Sequence, residues 1–161
     1  MRWLRSHWQR KYRQITNSYL VVDINFFNED VEFPHLDNER VINWLSRIAN
    51  KHQKEVGDIS YIFCSDSYLL DVNRQYLDHD YLTDIITFDY TEQNIISGDI
   101  FISTDRVADN AIEYNVSFEE ELLRVLVHGV LHLIGFKDKS EEDQFVMTQK
   151  ENDSINDYHN F

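Results

Sequence analysis

Residues 128–138 read HGVLHLIGFKD and close the most apolar helical run of the chain. His128 and His132 stand four residues apart, so a helix carries both rings on one face with their Cβ atoms about 5 to 6 Å apart. That is close enough for the two to share one metal ion. Gly135 suits the end of such a helix, because the position after a helix C-terminus favours a residue that tolerates the left-handed conformation. The chain can turn back there, and Asp138 can return to the two rings. Two nitrogens and one carboxylate oxygen leave a fourth position of a zinc ion open, as in hydrolytic rather than structural sites. The alternative is a pair of half-buried core histidines. Among Leu126, Val127, Leu131 and Leu133, however, an unpaired polar ring costs of order 1–3 kcal/mol. His128, His132 and Asp138 are therefore the expected ligands of one zinc ion per chain.

Working outward, Ser117 and Glu120 form an S-x-x-E capping box ahead of LLRVLVHGVLHLI, which starts the metal-bearing helix. Ser140 and Asp143 begin a last, polar helix, SEEDQFVMTQKEN, followed by an expected frayed tail containing His159. Before the central helix, Ser103 or Thr104 caps a helix that runs through Glu113. DIITFDY (84–90) and DIFIS (99–103) read as paired strands with Gly98 in the turn region. Thr83 and Asp84 at the start of the first of these are candidate cleft residues, although a capped strand end accounts for them equally well. Asp66 to Tyr76 reads as a short helix ending near LDHD, and ISYIFCS, after Gly57, as a strand. Asp37 or Asn38 caps a helix with Val41, Trp44, Leu45 and Ile48 at three- and four-residue spacings. A first strand lies in YLVVDINFFN, from Tyr19. Together these elements predict a single α+β domain over 19–161, with a small mixed β-sheet and a central metal-binding helix.

The 161 residues suffice for one domain, and 42% apolar residues with one proline and four glycines describe a folded chain. Cys64 is the single cysteine, which excludes an internal disulfide framework and any zinc site built on two or more thiolates, and fits a reducing cytoplasm. No stretch approaches the roughly 20 apolar residues of a membrane span, so no membrane partner is expected. The net charge of −14 argues against indiscriminate nucleic-acid binding by broad phosphate neutralisation. Arg2, Arg5, Arg10, Lys11 and Arg13 are nonetheless gathered in residues 1–18 with Trp3, Trp8 and Tyr12 and no acid. This basic N-terminal extension, expected to be mobile, mixes charges and rings able to meet RNA phosphates and bases.

The ligand and turn spacing of residues 128–138 is that of the metzincin motif H-E-x-x-H-x-x-G-x-x-H, with aspartate in the third ligand position. Metzincins place the general-base glutamate directly after the first histidine, where this chain has Gly129, so peptide hydrolysis by that route is disfavoured. A glycine inside a helix costs about 1 kcal/mol relative to alanine, which implies close approach by a strand or a substrate backbone, or simply tight packing.

With the motifs in this order, the sequence resembles the YbeY family of metal-dependent endoribonucleases, whose motif runs approximately H-G-x-L-H-L-x-G-[YF]-x-H. His128, Gly129, Leu131, His132, Leu133, Gly135 and Phe136 match it. VNRQYLDHDYLTDIITFDY (72–90) is similar to the family's L-N-x-x-Y-R…T-D-V-L-S-F segment, and GDIFIS (98–103) to its G-D-I-x-I-S strand. The resemblance spans about residues 19 to 152. It departs at Asp138, where the family usually has histidine, and at Leu77, where it typically has an active-site arginine. Arg74 and Arg124 are the nearest candidates to replace that charge. The resemblance implies a zincin-like fold and a zinc-dependent, single-strand-specific endoribonuclease of the cytoplasm. It further implies work in small-subunit (16S) rRNA 3′-end maturation and ribosome quality control, with ribosomal RNA, the small ribosomal subunit and ribosome-assembly proteins as partners. Two alternatives stay open: a non-catalytic ribosome-associated zinc protein that recruits processing factors, and a metal-dependent hydrolase of another substrate.

Overall fold

Five helices begin at a serine or aspartate whose side chain accepts a backbone N–H three residues on: Asp37, Ser65, Ser103, Ser117 and Ser140. Each cap satisfies one of the donors that a helix start leaves without a partner. The structure, a computed structural model, describes residues 23–160. The elements run β1 (Asp23–Asn28), α1 (Asn38–Lys51), β2 (Glu55–Cys64), α2 (Asp66–Leu77), β3 (Ile85–Asp89), β4 (Ile95–Ser103), α3 (Thr104–Tyr114), α4 (Phe118–Ile134) and α5 (Glu141–His159). The expected extension over 1–18, and the start of the first strand over 19–22, lie outside the described residues. None of the described helices is long and apolar enough to cross a membrane.

The strands form one sheet in the order β1-β2-β4-β3. β1, β2 and β4 are parallel, and β3 joins the edge antiparallel to β4. The domain is thus the expected α+β fold with a mixed sheet. The two-residue period of the strands divides the core between the sheet faces. Tyr61, Phe63, Ile100 and Ile102 pack with Trp44 of α1 and with Leu122, Leu126 and Val130 of α4. Ile62, Cys64 and Phe101 pack with Leu69 and Val72 of α2 and with Phe88. The buried Tyr61 hydroxyl donates to Leu126 O at 2.7 Å, tying the sheet to the middle of α4. The site helix is therefore the most enclosed of the five, with ten buried residues.

Gly129 is explained by packing. A Cβ there would stand 3.0 and 3.1 Å from Ile100 side-chain carbons and 3.2 Å from Ile85 Cδ1, so the glycine lets α4 lie close on β3 and β4. Gly98 departs from the expected turn. It lies inside β4, opposite Asp89, and the reversal falls at Glu92–Ile95, where the two residues exchange backbone hydrogen bonds of 3.1 and 3.0 Å and Gln93 takes φ +57°. What requires glycine at position 98 is space, since a Cβ would lie 2.6 Å from Phe88 O and 2.9 Å from Leu133 Cδ2. Because the first of these atoms belongs to the β3 backbone, Gly98→Ala is expected to cost about 1–3 kcal/mol of stability, as overpacking does. A lowered urea midpoint with unchanged slope would register it.

The second correction concerns the C-terminus. No frayed tail precedes His159, because α5 continues through it and Ser154, Ile155 and Tyr158 are buried. The contacts that hold this last stretch come from α1. Trp44 Nε1 donates to Ser154 O (2.7 Å), Arg40 donates to Tyr158 O (2.8 Å), and the Arg40 guanidinium lies 4.3 Å from the Tyr158 ring centroid.

Candidate metal centre and cleft

The last two turns of α4 and the loop after it assemble the site. At Gly135, φ is +121°, and its N–H reaches the carbonyls of Leu131 and His132 while Phe136 N–H reaches Leu131 O. This closes the helix and reverses the chain, so Asp138 comes back to the two rings. Asp138 Oδ2 is 3.4 Å from His128 Nε2 and 3.2 Å from His132 Nε2. The ring centroids are 4.5 Å apart. One donor atom from each of the three residues lies within 4.8 Å of the others, a group able to hold one metal ion.

The far side of each ring supports that fit. His128 Nδ1 is 2.6 Å from Glu151 Oε1, and His132 Nδ1 is 3.0 Å from Phe136 O. A proton held at each Nδ1 by these acceptors leaves both Nε2 lone pairs facing Asp138, which is the tautomer a metal ligand needs. Burial opposes charging the His128 ring, but the hydrogen bond and charge of Glu151, with Asp84 and Asp138, outweigh it and raise its pKa above the ordinary histidine value.

Glu151 is buried on α5, and its Oε2 accepts from Arg124 Nη1 at 3.1 Å. The same nitrogen donates to Asn152 Oδ1 (3.0 Å). One turn earlier on α4, the buried Glu121 lies 4.0 Å from Arg124 Nε. Burial, reinforced by Asp84 and Glu151, holds the Glu121 pKa above the usual carboxylate value despite Arg124 and Asn110. Arg124 is thus engaged by the carboxylates of Glu151, which stands behind His128, and of Glu121.

These residues border a cleft of about 870 Å³. Of the residues singled out in the sequence, the cleft brings together His128, His132, Asp138, Thr83, Asp84 and Arg124. Thr83 Oγ1 donates to Ile85 O (3.3 Å), and Asp84 accepts from Asn110 Nδ2 (3.3 Å), so both also hold the start of β3 in place. Arg74 is not among the lining residues. Its Nε donates to Asp80 at 2.6 Å and its Nη1 lies 3.8 Å from Asp71. Leu77 lines the cleft and supplies no charge there. Glu151 escaped the sequence reading, although Met147, Glu151, Ser154, Ile155 and Tyr158 share the buried stripe of α5. A carboxylate at that spacing is the signal that marks it.

The comparisons with known proteins agree with this geometry. Residues 23–159 match the family model described as endoribonuclease YbeY. An endoribonuclease YbeY of Flavobacterium johnsoniae is 55% identical over 134 residues, covering 83% of this chain and 96% of the relative. One of Parabacteroides distasonis is 49% identical over 132 residues, covering 82% and 93%. A Thermotoga maritima protein solved in solution superposes with a TM-score of 0.59 at 29% identity, over 84% of this chain and 88% of that one. With nearly the whole described fold matched by the family model, and relatives this similar over almost their full length, the chain belongs to the endoribonuclease YbeY family.

Proposed function

We propose that the cleft hydrolyses phosphodiester bonds of single-stranded RNA with one zinc ion held by His128, His132 and Asp138. The observation that carries this reading is the convergence of the three donors in an open cleft, with both histidines held from behind at Nδ1. Zinc bound there supplies Lewis acidity, polarising a phosphoryl oxygen or acidifying water. The chain's own residues orient and balance charge. Glu151 holds the His128 proton at Nδ1, Phe136 O does the same for His132, and Arg124 donates to the other oxygen of Glu151 and so fixes its carboxylate behind the ring. Thr83 and Asp84 border the space a substrate would fill. The cytoplasmic role that follows is maturation of the small-subunit (16S) rRNA 3′ end and ribosome quality control, with the small ribosomal subunit and its assembly proteins as partners. Residues 1–18 are a basic extension that adds phosphate contacts.

The non-catalytic alternative, a ribosome-associated zinc protein that recruits processing factors, draws support from Leu77, an uncharged side chain in the cleft. Incubating the purified chain with single-stranded and with structured RNA, with and without a chelator, separates the two. Cleavage of the single strand that stops on chelation and returns with zinc is the expected result. Zinc binding without cleavage of any RNA would favour the recruiting protein.

A further inference from the structure

Two aromatic rings border the cleft and take no part in holding the three-residue cluster. His79 and Tyr81 both line it, with ring centroids 5.2 Å apart and planes 26° from parallel. The Tyr81 hydroxyl lies 3.1 Å from His79 Nδ1. Although His79 stacks on it, Tyr81 is 57% exposed. A tyrosine ring is a large apolar surface, and leaving it in water forgoes the stabilisation its burial would give.

The backbone that presents these rings is tied to α2. Asn73, 1% exposed, donates its Nδ2 amide to Tyr81 O at 2.9 Å, and its own carbonyl accepts from His79 N–H at 3.3 Å. Arg74 Nε donates to Asp80 between them at 2.6 Å. Asp78 turns the chain out of the helix in the left-handed conformation, φ 55°. A buried asparagine, an arginine and a helix cap thus fix a loop whose tip shows an open ring to the cleft. The same cleft is lined by Lys137 and Lys139, both exposed and without an ion pair among the described residues.

We infer that the His79–Tyr81 pair is a nucleobase-stacking platform, on which an unpaired base of single-stranded RNA seats its face while Lys137 and Lys139 meet its phosphates. This rests on the RNA-cleaving reading of the cleft and adds to it the residues that select an unstacked base. Every base has a π-face, so stacking tolerates any sequence, whereas in a duplex both faces are covered by neighbouring pairs. A chain of net charge −14 gains little from broad phosphate neutralisation, so an interaction that salt does not screen carries more of its affinity.

The experiment measures binding of the zinc-loaded full chain to a fluorescent 2′-O-methyl single strand of about ten nucleotides, against the same strand in a duplex, at several salt concentrations. Tyr81→Ala should weaken single-strand binding roughly 5- to 150-fold, the range for loss of one stacked base. Zinc content, thermal midpoint and the slope of log K against log salt should not change. Tyr81→Trp should restore affinity. Lys137→Ala with Lys139→Ala should instead flatten the slope, by about 0.7 for each phosphate no longer neutralised. One abasic position in the strand should weaken the parent protein and leave Tyr81→Ala unaffected. The platform is overturned if Tyr81→Ala binds like the parent, if its slope falls along with its affinity, or if the duplex loses as much as the single strand. Parent protein that cleaves single-stranded RNA beside a Tyr81→Ala variant of equal affinity removes the platform alone. Parent protein that neither binds nor cleaves RNA removes the functional reading and the platform with it.

Discussion

Replacing His128 and His132 together with alanine is expected to take zinc content from about one ion per chain to none after dialysis. Two of three ligands are gone, and a lone carboxylate, Asp138, does not retain zinc against water. The side chains are only 19% and 25% exposed, but they sit at the cleft wall, apart from the apolar contacts that fix α4 on the sheet. The double variant should therefore keep its helical content. A second reading of the same effect comes from linkage, since an ion that binds only the folded chain stabilises it by about 2.7 kcal/mol when its free concentration is a hundredfold above Kd. Added zinc should raise the thermal midpoint of the parent and leave that of the double variant unmoved. Full zinc occupancy in the double variant would place the ion elsewhere on the chain.

The parts of this site that are local in sequence are legible from the residues alone, and the parts that depend on distant packing are not. His128 and His132 share a helix face by periodicity alone, and Gly135 with Asp138 follows from how a helix ends. Capping chemistry locates four of the five helix starts and leaves the choices at Asp37 and Ser103 for the structure to decide, while the cap of α2, Ser65, comes from the structure. Gly98 misleads because glycine marks both turns and close approaches, and only the packing of Leu133 over β4 distinguishes them. The end of α5 misleads for a related reason. Its polar sequence carries little helical periodicity, and its order comes from Trp44 and Arg40, more than a hundred residues away. Arg74 and Arg124 are equal candidates on sequence, because arginine's partners decide its role. Arg74 pairs with Asp80 and Asp71 outside the cleft, whereas Arg124 pairs with Glu151 behind a histidine.

Glu151 is the residue whose removal should separate ligand identity from ligand support. Glu151→Gln keeps an oxygen able to accept from His128 Nδ1 but removes the charge that polarises the ring and answers Arg124. Loss of such a partner behind a metal-bound histidine typically costs 10- to 100-fold in metal affinity, with the amide expected near the lower end and Glu151→Ala near the upper. The pH dependence gives this effect a sign. In the metal-free chain Glu151 is one of the groups that raise the His128 pKa, so below that pKa a proton competes with zinc for the ring. Taking away the carboxylate charge lowers this pKa, and competition in Glu151→Gln begins only at a lower pH. The affinity gap between parent and variant should consequently be widest above the parent's raised His128 pKa and narrow as pH falls through it. Competition against a chromophoric chelator at a series of pH values reads both quantities. Equal affinities above that pKa would reduce Glu151 to an ion-pair partner of Arg124. A gap that stays constant with pH would show that its charge does not act on the His128 ring.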